Sequence, residues 1–222
     1  MQIQIDKLIR SKRRTIALII ERDGTLTIRA PMRISQAQIH SFVQEKSDWV
    51  MRTRERLKSI THTPSRQYTD GETFLFLGSP FDLKLVGPQR PSLKFDNGFT
   101  LSHTAQKRSE SIFTRWYKKH AYEVISERVT HFAQQYSLTP GQVKITSAKT
   151  RWGSCSPNGT LNFTWRLVMA PLDVIDYVIA HELAHLHVKN HSSKFWKFVE
   201  AIYPDYKKQR NWLRENGEKL NL

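Results

Sequence analysis

His181-Glu182-Leu183-Ala184-His185, followed six residues later by His191, is the stretch on which the reading of this 222-residue chain turns. On a helix of 3.6 residues per turn, His181 and His185 lie one turn apart and about 40° apart around the axis. Two imidazoles at that spacing converge on one cation, and Glu182 stands beside them as general base for a water. The third ligand needs a separate argument. On an unbroken helix His191 would sit about 9 Å beyond His185 and point roughly 120° away. The chain is therefore expected to turn back, at Lys189-Asn190, because Asn tolerates the left-handed conformation that ends helices. Glu200 competes for the third position. His191 is preferred, since three imidazoles plus water complete the open four-coordinate site of catalytic zinc, Zn2+. Glu200 would then orient a ligand imidazole from behind. His187, 200° around the helix from His185, reads as a surface or packing histidine.

Working outward, Val174, Val178, His181 and His185 form one stripe, with Ile175, Ile179, Leu183 and Leu186 beside it. The helix should be buried on a broad front, with Asp173 as its cap and Pro171 closing the segment before it. Leu161–Met169 alternates apolar and polar residues and predicts a strand with one buried face. Val143–Ser147 predicts another. Ser193–Tyr203 and Tyr206–Leu220 predict the closing helices.

Upstream, Gln2–Ile9, Thr15–Glu21 and Thr25–Ala30 read as strands, the last two joined by an Asp23-Gly24 hairpin. Ser35 caps a helix expected to run to about Ser59, and Thr61–Gln67 reads as a connector. Phe74–Leu77 and Phe81–Val86 flank Gly78-Ser79-Pro80, and Leu93–Phe95 and Phe99–Leu101 flank Asn97-Gly98. A long helix is predicted from about Thr104 to Tyr136. The fold class is α+β. A β-rich region with one helix, residues 1–102, precedes a catalytic region, residues 103–222, that carries HExxH.

The net charge of +15 is placed unevenly. Residues 1–66 hold 14 Lys/Arg against 6 Asp/Glu, residues 67–110 balance, and residues 111–222 hold 16 against 9. A polyanionic partner such as nucleic acid or nucleotide phosphate fits that excess, and so does a solvated basic surface. No stretch approaches the ~18 uncharged apolar residues of a membrane span, so no membrane partner is expected. Cys155 is the only cysteine, read as a small buried thiol, and a cytoplasmic location is expected.

Arg151-Trp152-Gly153-Ser154-Cys155-Ser156, the Leu161–Pro171 segment, Asp176-Tyr177-Val178, the HELAHL run and Asn190-His191-Ser192 with Phe195-Trp196 together resemble the YgjP-like metal-dependent hydrolases, which are grouped with SprT-like and WLM-type zinc metallopeptidases. The resemblance implies a minigluzincin-like zincin core, a small sheet packed on the HExxH helix. It also implies His181, His185 and His191 as metal ligands and Glu182 as catalytic acid/base. The family name travels with a peptidase label, yet such proteins have also been assigned a UTP pyrophosphatase activity.

Three functions follow as expectations. The first is a zinc metallopeptidase, with the polar-edged Leu161–Met169 strand pairing with an extended polypeptide and Tyr206, Arg166 or Arg151 supplying the oxyanion donor. The second is a nucleoside triphosphate pyrophosphohydrolase acting on UTP at the same metal, disfavoured because none of the nine glycines builds a GxxxxGK[ST] phosphate loop. The third is a zinc-stabilised nucleic-acid-binding module using the Arg52–Lys58 cluster. Glu182 argues against it, because a closed structural site needs no general base.

Overall fold

The computed structural model describes residues 3–21, 23–60 and 66–222. The connector expected at Thr61–Gln67 lies outside them as far as residue 65, as do the side chains of Arg56 and Lys58 in the basic cluster. The chain forms two compact units, Met1–Pro64 and Ser65–Leu222.

In the first unit, β1 (Lys7–Ser11), β2 (Ala17–Ile20) and β3 (Leu26–Pro31) form a sheet in the order β1-β3-β2, with β1 parallel and β2 antiparallel to β3. The expected turn is present. Gly24 takes φ 85°, a left-handed value that glycine adopts without steric cost, and the Asp23 side chain accepts from the Thr25 N–H. Ser35 caps the following helix through a reciprocal capping box with Gln38. The single helix expected to Ser59 is two, α1 (Gln36–Glu45) and α2 (Ser47–Ile60), because the backbone leaves helical geometry at Lys46. Leu26, Ile28, Ile39, Val43 and Val50 make this unit's core.

In the second unit, β4 (Thr73–Phe76), β5 (Ser79–Val86), β6 (Leu93–Phe95) and β7 (Phe99–Ser102) form a sheet in the order β4-β5-β7-β6. The β4–β5 turn is Leu77-Gly78, both left-handed, so Ser79 and Pro80 belong to β5 rather than to the turn. A short 3₁₀ segment, His103–Arg108, leads into α3 (Ser109–Gln135). The boundary between units therefore falls at 64/65 rather than at 102/103, and the cause is packing. Phe74 and Phe99 lie 4.3 and 5.2 Å from the Phe113 ring of α3, and the Tyr117 hydroxyl donates to Leu75 O at 2.7 Å. These strands share one core with α3 and the helices that follow it.

A second small sheet follows: β8 (Val143–Thr146), β9 (Gly153–Cys155) and β10 (Leu161–Thr164), in the order β8-β10-β9. The strand expected to reach Met169 stops at Thr164, and Trp165–Met169 turns into a 3₁₀ segment. Alternation cannot hold there, because Leu167, Val168 and Met169 are all buried and a strand would point Val168 to the opposite face. Three helices close the chain: α4 (Leu172–Ala184), α5 (Ser193–Ile202) and α6 (Tyr206–Asn216). Pro171 takes the N-cap position of α4, so Asp173 sits in the first turn and acts through the helix dipole rather than as a cap. No helix among the described residues is long and apolar enough to cross a membrane.

Candidate metal centre

Every residue of α4 from Val174 to Ala184 is buried except His181, so the helix is gripped all round and offers one opening to solvent. Its packing is locked by an ion pair. Arg128 of α3 donates from Nε and Nη2 to the two carboxylate oxygens of Asp176, each at 2.7 Å. α4 ends at Ala184, and His185 is already its C-cap. The chain thus turns back at the second histidine, four residues before Lys189. Asn190 is not among the residues with positive φ, so the left-handed stop expected there is not used. His191 comes round just ahead of α5.

The result is a triangle of imidazoles. Ring centroids of His181, His185 and His191 are 4.8–5.1 Å apart, and one nitrogen from each lies within 4.8 Å of the others. The buried Phe195 ring sits 4.5–4.9 Å from all three and forms a shared apolar floor. His185 Nδ1 is 3.0 Å from Val188 O. A carbonyl only accepts, so Nδ1 carries the proton and Nε2 keeps its lone pair. Burial, the other two imidazoles and Arg210 push His181 down to about 3, and burial, His185 and Arg210 lower His191. Neutral rings with free lone pairs are what a divalent cation needs. The His181 Nδ1 is buried without a partner, and His181 Nε2 lies 3.0 Å from His191 Nε2. An all-nitrogen donor set of this kind fits zinc.

Glu182 lies beneath β9. A Cβ placed on Gly153 would approach its Oε1 to 2.5 Å, so only glycine lets the strand backbone cover the carboxyl. Burial pushes Glu182 up to about 8, against an opposing pull from Arg151. Glu200 is absent from this group. It follows the buried Val199 on α5, faces solvent and pairs with Lys207 at 3.7 Å, so it orients no ligand imidazole. His187 packs outward against Phe198. Cys155 is half-buried, its thiol pushed up by burial, and lies outside the imidazole group.

Of the expected oxyanion donors, Arg166 is committed elsewhere, donating to Asn221 Oδ1 and Ser147 O. Tyr206 stacks on Trp196 at 5.4 Å, and Trp196 lies 5.7 and 5.9 Å from His181 and His191. Three positions escaped the sequence reading: Gly153, Phe195 as the floor, and Arg210, which stands over Trp196 at 4.6 Å. Gly153 and Phe195 fall inside the quoted motifs, whereas nothing in the sequence marks Arg210.

Three imidazoles gathered at the end of a buried helix, on a small α+β unit, form a candidate site for one divalent cation. The YgjP-like metallopeptidase domain matches residues 14–216, and the chain belongs to that family. It is accordingly a hydrolytic enzyme, a metal-dependent peptidase with polypeptide substrates, and the matched metallopeptidase domain does not itself support the expected nucleotide or nucleic-acid partners. No curated protein matches the chain. Among solved structures, the chain is similar to the metallopeptidase zymogen abylysin of Pyrococcus abyssi, with 24% identity over 41% of this chain and 93% of that one at TM-score 0.38. It is also similar to the zymogen jannalysin of Methanocaldococcus jannaschii, with 20% identity over 41% and 94% at TM-score 0.37.

Proposed function

We propose that the chain is a zinc-dependent peptidase in which His181, His185 and His191 hold the metal and Glu182 moves the proton. The convergence of three imidazole nitrogens within 4.8 Å carries this reading. Zinc, when bound, supplies a Lewis acid that polarises the scissile carbonyl and makes water a stronger nucleophile near neutral pH. Glu182 takes the proton of the attacking water as it adds to the carbonyl carbon. It then returns that proton to the amide nitrogen as the C–N bond breaks.

The substrate strand pairs with β9, not with β10. β10 is the central strand of its sheet and has neighbours on both sides, whereas β9 is an edge strand lying on Glu182. Residues 65–222 fit a minigluzincin-like arrangement in which that small sheet overlies the HExxH helix, and the single half-buried cysteine suits a cytoplasmic enzyme.

The test compares zinc-loaded wild type with Glu182→Gln on unfolded polypeptide and on UTP. Wild type cleaves the polypeptide. The variant keeps its zinc and loses about 10²–10⁴-fold in rate. Pyrophosphate release from UTP without peptide cleavage, or full activity in the variant, contradicts the proposal.

A further inference from the structure

The metal centre has two flanks. β9 lies against Glu182 on one, and Trp196, adjacent to both His181 and His191, forms the other. Two residues one turn apart on α6 reach Trp196: Tyr206, stacked at 5.4 Å, and Arg210, its guanidinium 4.6 Å from the indole ring. Arg210 is exposed, and among the described residues no carboxylate pairs with it. The contrast with other arginines is informative. Arg128 is engaged by Asp176, Arg54 by Asp6, and Arg166 by Asn221 and Ser147. Arg210 instead keeps its donors open and is steadied by an aromatic face, which lowers the entropy lost when it forms hydrogen bonds. The surrounding chain strengthens its field, since residues 186–222 carry eight Lys/Arg against four Asp/Glu.

Resting on the peptidase reading, we infer that Arg210, held over Trp196, is a specificity residue that binds a carboxylate of the polypeptide substrate beside the scissile bond. A guanidinium offers two parallel N–H donors to a carboxylate, a match that an ammonium lacks. The carboxylate can come from an Asp or Glu side chain or from a free C-terminus, and the two sources separate experimentally.

The experiment uses the zinc-loaded full chain and a peptide series of one backbone sequence. One arm replaces Glu by Gln at each position near the cleavage point, and the other carries a free or amidated C-terminus. In wild type the carboxylate form is favoured by about 10–100-fold at one position, chiefly in KM. Arg210→Met erases that preference, Arg210→Lys restores part of it, and Lys208→Met, which removes an exposed charge two residues away, leaves it in place. Calorimetric binding of the same peptides to Glu182→Gln reports the preference without turnover. A preference that survives Arg210→Met, or falls equally in Lys208→Met, overturns the inference. Cleavage indifferent to carboxylates also overturns it and leaves the peptidase reading intact. Failure to cleave or bind any peptide brings down both.

Discussion

Glu182 packs directly against the backbone of Gly153, which has no side chain to displace it. The backbone of β9 lies where a Cβ would meet Glu182 Oε1 at 2.5 Å and its Cγ at 2.7 Å. Gly153→Ala therefore displaces the carboxyl from the position that serves the water. Peptidase kcat falls about 10²-fold or more, while far-UV circular dichroism and zinc content stay near wild type. Titration adds a second prediction at this scale, for the metal-free protein. Glu182 is raised from 4.5 to about 8, so between those values the folded chain holds a proton the unfolded chain has released, and stability falls as pH rises through the window. His181 runs the other way. It is lowered from 6.5 to about 3, so the unfolded chain binds the extra proton and stability falls as pH drops through that range. The two offset between 4.5 and 6.5, leaving an alkaline limb from 6.5 to 8 that belongs to Glu182. Urea unfolding of metal-free wild type should show that limb, and Glu182→Gln should remove it.

α4 owes its position to α3. The fork from Arg128 to Asp176 joins the two helices one and a half turns ahead of His181, and the Asp176 side chain is 8% exposed. Asp176→Asn removes the ion pair and leaves the half-buried Arg128 guanidinium fork with one acceptor in place of two. Unfolding free energy should drop by about 2–4 kcal/mol, measured by urea denaturation, with zinc affinity weakened as the helix loosens. At this scale the sequence was legible where local chemistry dominates. HExxH placed two imidazoles and a carboxyl on one helix, and Asp23-Gly24 and Asn97-Gly98 marked real turns. It was less legible where tertiary packing decides. Val168 is apolar in a polar register, and its burial ends β10 five residues early. Phe74 and Phe99 look like members of an N-terminal β region until Phe113 is seen between them. Arg210 is one basic residue among many in α6, and only the neighbouring Trp196 ring, fourteen positions earlier, sets it apart.

Over the whole molecule, the family match spans both units, while the imidazole triangle, its Phe195 floor, β9 and the Arg210 flank all belong to Ser65–Leu222. The first unit carries much of the basic excess but contributes no residue to the three-histidine group. The enzyme's chemistry therefore reduces to whether three ring nitrogens of the second unit hold one cation without help from a carboxylate. Equilibrium zinc binding to the full chain, read by elemental analysis, decides this directly. Wild type, Glu182→Gln and Glu200→Gln should each retain a single zinc with similar affinity, whereas His181→Ala, His185→Ala and His191→Ala should each lose it by at least about 10²-fold. Undiminished zinc binding by His191→Ala, or its loss in Glu200→Gln, would contradict the account.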